Sequence, residues 1–221
     1  MSLSQFFNDP DNFITREKIF LNRVCFDLKL AAAHRGMPLQ VFSPEVDREG
    51  FDIVLDDGDM QRRFQLKSFT KSSGTSSWKI HKRLLRPEYQ DAQALGFELS
   101  PEGVGLGGGV IVISIDESDD SCPVNYHYTD VFILTALAER LITNLSEVQE
   151  RHVKKLLQAL HHGRGRERVS VPLTLCLKVR SPSCLLAIAG YHSTEEAYIW
   201  WGNLLIALRE GFRVHETPLF R

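Results

Sequence analysis

The sequence predicts a single α/β domain, in which a long helix leads into a three-stranded meander, a buried strand follows, and the C-terminal part is mostly helical. Three observations carry this prediction. Apolar residues recur at helical spacing over residues 15–35, alternating segments separated by turn residues follow as far as residue 69, and residues 110–115 form a continuous apolar run of strand length. With 43% hydrophobic and 24% charged residues in 221, the chain has the makeup of a globular protein that buries a real core.

Residues 15–35 place Ile19, Phe20, Val24, Leu28, Leu30 and Ala31 on an amphipathic helix, with Thr15 as its cap and Gly36 and Pro38 as its stop. Strands are expected over 39–44, 51–56 and 60–69, the last two joined by a tight turn at Asp56-Asp57-Gly58-Asp59. Serine-rich residues 70–77 have loop composition, and 78–95 read as a helix interrupted at Pro87. Glycine-rich residues 103–109 read as a flexible connection, because neither GxxxxGK[ST] nor a helix-opening GxGxxG is present. Further on, helices are expected over 129–141, 146–161 and 193–210 and a strand over 169–179. Ser146 with Gln149 and Ser193 with Glu196 form capping boxes, and Gly211 ends the last helix.

A net charge of −2 and a pI near 6.4 exclude binding of nucleic acid or membrane by bulk electrostatics, so any such contact has to come from a local patch. Cys25, Cys122, Cys176 and Cys184 are far apart and form neither a CxxC pair nor a zinc-finger spacing, which makes them buried or incidental thiols. Residues 1–16 carry polar and acidic side chains where a secretory signal needs an apolar stretch, and no run approaches the roughly 20 apolar residues of a membrane span. The expectation is an intracellular, cytoplasmic protein in a reducing compartment, with no membrane partner.

The hairpin of residues 50–68 carries the functional question. Alternation puts Phe51, Ile53 and Leu55 on one face with Phe64 and Leu66, and Asp52, Gln65 and Lys67 together on the other. The turn is expected to place Phe51 opposite Phe64 and Asp52 opposite Arg63. Two readings of the polar face compete: a solvated outer face in which Asp52 pairs with Arg63, or a constellation that does chemistry.

The order of elements, with Asp52 followed by Gln65-Leu66-Lys67, resembles the PD-(D/E)XK, or restriction-endonuclease-like, nuclease superfamily. It is similar to the variant of Mrr-type restriction nucleases and related bacterial families, in which glutamine replaces the usual acid and the aspartate sits in a D-x-G-x-D-like context. Here that context is Asp47-Arg48-Glu49-Gly50-Phe51-Asp52, one residue longer between the first aspartate and the glycine. The resemblance implies an α-β-β-β-α-β core, a mixed central sheet flanked by helices, over about residues 13–120. Residues 121–221 form an unmatched extension of the same domain. It also implies a Mg²⁺-dependent endonuclease that hydrolyses phosphodiester bonds in DNA, in restriction, phage defence or repair, with Mn²⁺ able to substitute. The alternative is a nuclease-like module that binds nucleic acid or a protein without cleaving.

In that reading Asp52 is the main metal ligand, joined by the side-chain oxygen of Gln65 and the backbone carbonyl of Leu66, since Mg²⁺ takes oxygen ligands and keeps several waters. Lys67 orients the attacking water or stabilises developing negative charge. Glu17 either adds a carboxylate through water or faces solvent. A neutral glutamine holds Mg²⁺ less strongly than an acid does, and Glu45, Asp47 and Glu49 are placed to compensate, Asp47 best.

Residues 61–87 contain no acid, but they include Arg62, Arg63, Lys67, Lys71, Lys79, His81, Lys82, Arg83 and Arg86. Arg62, Arg63, Lys71, Lys79, Lys82 and Arg83 are the candidates for phosphate-backbone contact, with a solvated basic face as the rival reading. Trp78 either stacks on a base or anchors in the core. A second basic cluster, residues 151–168, reads as a flexible loop around His161-His162-Gly163-Arg164-Gly165-Arg166. The final helix, with Trp200, Trp201, Leu204, Leu205 and Leu208, is core or the interface of a homodimer.

Overall fold

A computed structural model describes residues 2–45, 50–100, 102–119, 121–142, 145–161, 167–191 and 202–207. After a short capped helix α1 (Leu3–Asn8), the long helix α2 runs over Phe13–Ala33 and buries Phe20, Val24, Leu28 and Ala32, a stripe of every fourth residue. It matches the expected helix and starts two residues earlier. Gly36, at φ 66°, turns the chain out of the helix in a left-handed conformation that suits glycine.

Strands β1 (Gln40–Phe42), β2 (Ile53–Asp56) and β3 (Gln61–Thr70) form the expected antiparallel meander. The register differs by two residues: Ile53 lies opposite Phe64 and Val54 opposite Arg63. The turn sits one residue later than expected, because Asp57 Oδ1 accepts from the N–H groups of Asp59 (3.1 Å) and Met60 (2.7 Å) and makes residues 57–60 the loop. A shift by two leaves every side chain on its expected face, where a shift by one would have reversed them all.

Strand β5 (Gly109–Ile115) pairs parallel to β3, and β6 (Val124–Asp130) and β8 (Leu177–Val179) extend the sheet antiparallel. The result is a mixed six-stranded sheet in the order β1-β2-β3-β5-β6-β8. β5, buried at all but one position, has the continuous apolar run of a central strand. The glycines before it do not form a flexible link. The N–H groups of Gly105, Leu106, Gly107 and Gly108 donate to Pro87, Arg83, Arg86 and Leu84, and a Cβ on Gly109 would lie 2.7 Å from the Tyr128 ring. Glycine is required there because backbone packs directly on its neighbours.

Three expectations are corrected. Residues 78–95 are not one helix: β4 (Ser77–His81) is followed by the short helices α3 (Lys82–Leu85) and α4 (Tyr89–Ala92). β4 pairs with β7 (Arg168–Pro172) in a separate two-stranded ribbon, and that distant partner stabilises a segment whose local pattern also fits a helix. The single strand expected over 169–179 is divided between β7 and β8 by a 3-10 turn, Leu173–Leu175, so its halves belong to different sheets. The helix expected from residue 129 begins later, as α5 (Val131–Ala138), because β6 runs to Asp130, whose Oδ1 accepts from the Ile133 N–H at 2.8 Å and caps the helix.

Helix α6 (Glu147–His161) matches expectation, whereas α7 (Pro182–Ile188), capped by Ser181, has no counterpart among the expected helices. The C-terminal half is therefore less helical than expected, and β6 and β8 complete the main sheet. Of the final helix, residues 202–207 are helical; Ser193, Glu196, Trp200, Trp201, Leu208 and Gly211 lie outside the described residues. α2 covers the sheet face that carries Ile111, Ile113 and Tyr126, with the Tyr126 hydroxyl donating to Asp27 at 2.6 Å. α7 packs beside α2, and just beyond it the buried Tyr191 donates to the Leu55 carbonyl at 2.9 Å.

Candidate functional site

β2 is four residues long and β3 ten, so β3 continues beyond the point where its antiparallel neighbour begins. Asp52 occupies that point. Its N–H donates to the Phe64 carbonyl at 2.8 Å, and its carboxylate Oδ2 accepts from the Leu66 N–H at 2.6 Å. The side chain thus replaces a backbone acceptor in the ladder and satisfies a donor that the departing strand would otherwise leave open. In an extended strand the N–H and C=O of one residue leave on the same side, so the Leu66 carbonyl also faces the edge that Asp52 borders.

Between this edge and α2 lies a hollow of about 310 Å³. Its floor is apolar, built from Phe20, Leu21 and Val24 of α2 with Ile111 and Ile113 of β5, and Asp52, Glu17, Lys67 and Ser68 supply polar groups to its lining. Glu17 sits one helical turn before Phe20, which directs it to the mouth. Its Oε1 accepts from the Ser68 hydroxyl at 3.5 Å and lies 3.6 Å from Arg16 Nη2. Ser68 and the apolar floor had no distinguishing signal in the sequence, because a hollow is defined by a helix and a sheet that meet only in the fold.

Asp52, Glu17, Leu66 and Lys67 all border the hollow, and Gln65 does not. Gln65 is 6% exposed, and its Oε1 has no hydrogen-bond partner among the described residues. Strand alternation sends Gln65 and Lys67 to the face opposite Leu66 and Ser68, so Lys67 meets the hollow from the side of the sheet away from α2. Glu45 is exposed, and Asp47 and Glu49 lie outside the described residues. Among the described residues no group of three or more His, Cys, Asp and Glu is placed to hold a metal ion.

The basic stretch separates into several roles. Arg62, expected to contact phosphate, is buried: it donates to the carbonyls of Gly107 (2.8 Å) and Ala189 (2.8 Å) and pairs with Asp130 at 3.1 Å. Burial opposes its charge, but Tyr128 and Asp130 outweigh that effect and hold the guanidinium pKa above its ordinary value. Lys82 is also buried, and desolvation together with nearby Arg86 lowers its pKa. Lys71 pairs with Asp116 at 2.8 Å, and the bond from Lys71 with those from Ser118 holds that carboxyl down to about 2. Arg63 lies over the Phe51 ring, 5.7 Å from its centroid. Lys79 and Arg83 are exposed. Trp78 packs its ring 5.6 Å from that of Phe69, which favours the anchoring role over base stacking.

The loop after β3 is organised by Glu117, a residue without a sequence signal. It is buried and accepts from the N–H groups of Lys71 (2.9 Å) and Ser72 (3.0 Å) and from the Ser72 hydroxyl. The four cysteines carry free thiols, and no described helix is long and apolar enough to cross a membrane. No family model, curated protein or solved structure matches the chain.

Proposed function

We propose that the chain is a divalent-metal-dependent nuclease acting on DNA, with its reactive centre at the hollow between α2 and the end of β2. The observation that carries this reading is the convergence of Asp52, Glu17 and Lys67, two acids and a cation from three separate elements, on that one hollow. The element order adds support. A helix, an antiparallel meander and a crossover through β4, α3 and α4 into a strand parallel to β3 resemble, with β4 inserted, the α-β-β-β-α-β order of the restriction-endonuclease-like nucleases, which the Asp52 and Gln65-Leu66-Lys67 motif also resembles.

The donors fit a hydrated Mg²⁺ or Mn²⁺, which needs only one or two carboxylates and keeps several waters, better than a caged ion. Asp52, the Leu66 carbonyl and Glu17 would hold it. Gln65 carries a buried acceptor of the right class that has no partner among the described residues. The ion would supply Lewis acidity and lower the pKa of a bound water. Lys67 attracts the phosphate and stabilises charge that develops on its oxygens, a contribution on the order of 10²-fold or more in rate. The Glu17 carboxylate accepts hydrogen bonds at the mouth and orients water there. The apolar floor keeps bulk water away and strengthens these interactions.

Nicking of supercoiled plasmid with Mg²⁺ or Mn²⁺ tests the reading. Nicking abolished by EDTA and reduced about 10²-fold or more by Lys67→Ala or Asp52→Asn is expected; no nicking with either metal refutes it. A second reading, a nuclease-like module that binds without cleaving, draws on the Asp52 to Leu66 bond, which gives Asp52 a structural task. DNA binding by wild type without nicking would select it.

A further inference from the structure

Two basic segments that are far apart in sequence meet in one groove. Pairing of β4 with β7 sets Lys79 opposite Ser170 and His81 opposite Arg168, and α6 lies alongside this ribbon. Between them runs a groove of about 560 Å³ whose lining, among the described residues, includes Lys82, His152, Lys155 and Arg168 and no acidic residue. His152, Lys155 and Ala159 follow helical spacing with the buried Leu156, which anchors α6 and holds the exposed Lys155 over the groove. The hydroxyls of Ser77 and Ser170, also in the lining, lie 2.6 Å apart across the ribbon. Lys79 shares their ribbon face by alternation and is exposed.

A groove lined by three cationic side chains, Lys82, Lys155 and Arg168, and by no carboxylate among the described residues stands apart in a chain of net charge −2. Like charges gathered this way repel one another, and a polyanion relieves the repulsion and releases its own counterions. We propose that this groove holds the sugar-phosphate backbone of DNA. Lys155 and Arg168 pair with phosphates, the hydroxyl of the Ser77 and Ser170 pair that accepts from the other donates its own proton to a phosphate oxygen, and Lys79 extends the track along the ribbon. Arg168 offers the planar fork that binds phosphate oxygens two at a time. The choice of DNA among polyanions rests on the nuclease reading above; the charge of the groove does not.

The test is fluorescence anisotropy of a labelled DNA duplex at several salt concentrations in EDTA, where no metal-dependent cleavage occurs. For Lys155→Gln/Arg168→Gln, affinity is expected to fall about tenfold or more. The slope of log affinity against log salt is expected to shrink by about 1.8, or 0.9 for each lost phosphate contact. Lys155→Arg/Arg168→Lys, which keeps both charges but not the Arg168 fork, should retain the wild-type slope and lose less affinity than the glutamine variant. An unchanged affinity and slope in the glutamine variant, with wild-type melting and far-UV circular dichroism, would overturn the proposal, as would equal loss in the charge-conserving variant. Wild type that shows no salt-dependent DNA binding would overturn it too. Weakened binding by the glutamine variant when wild type does not nick plasmid would remove the nuclease reading and leave the groove. Nicking by wild type with unchanged binding by the variant would do the reverse.

Discussion

Asp130→Asn removes the charge that makes the buried Arg62 tolerable. The two side chains are 10% and 0% exposed, and the Asp130 carboxylate also accepts from the Tyr128 hydroxyl at 2.7 Å and from the Ile133 N–H at 2.8 Å. Asparagine keeps an oxygen for the Ile133 cap, but its NH2 replaces the oxygen that accepts from Arg62 and Tyr128, so the expected loss is that of the charge together with those two bonds. Removing one partner of a buried ion pair costs about 3–5 kcal/mol. For a chain of this size that corresponds to a fall of roughly 6–20 °C in melting temperature, a large share of a typical total stability of about 5–15 kcal/mol. Urea titration and thermal melting followed by far-UV circular dichroism measure it. The companion variant Arg62→Met/Asp130→Asn removes both charges and should recover much of the loss, because an apolar side chain of similar length tolerates the site. A cost below about 1 kcal/mol for Asp130→Asn, or a double variant no more stable than the single, would refute the reasoning. The double variant should also bind DNA as wild type does, since Arg62 is spent inside the fold.

Three further outcomes are expected. Asp52→Ala should cost about 1 kcal/mol by stranding the Leu66 N–H, and Asp52→Asn, which keeps an acceptor, should melt like wild type yet fail to nick plasmid; melting and nicking run together check both. Burial holds the His127 imidazole below its ordinary pKa, against a bond to Val112 and with help from Lys178. Its contribution to stability is therefore complete above the unfolded pKa, about 6.5, and is lost as the pH falls below that value. Melting temperatures from about pH 8 to about pH 5 should drop less steeply in His127→Gln than in wild type. Burial pushes the Cys176 thiol up to about 12, so a thiol-specific reagent should label it only after unfolding, whereas the partly exposed Cys184 reacts in the folded protein; mass mapping of the labelled peptides distinguishes them.

Some of the candidate site was legible in the sequence. Asp52 and Lys67 belong to a hairpin whose alternation can be read directly, and the two-residue difference in register left that alternation intact. Glu17 lies on the long helical pattern near the start of the chain, which α2 reproduces. Gln65 differs in kind. Its position on β3 follows from alternation, but its burial away from the hollow depends on what packs against that face of the sheet. Arg62 carries the same lesson more sharply: on a basic stretch it resembles a phosphate ligand, and only Asp130, brought in by β6, makes it an internal cation.

Periodicity, caps and turn residues act over a few positions, so the sequence by itself determined α2, the meander, the buried strand β5 and the capped helix α6. Segments with weak or ambiguous local preference were settled by partners far along the chain. Residues 77–81 became a strand because residues 168–172 were available to pair with them, and the run expected over 169–179 was divided because its halves complete different sheets. The same pairing joined two basic segments, neither of them a surface alone, into one groove. Local preferences amount to tenths of a kcal/mol per residue, whereas burying an apolar side chain contributes about 1.5–3 kcal/mol, so tertiary contact wins where the two disagree.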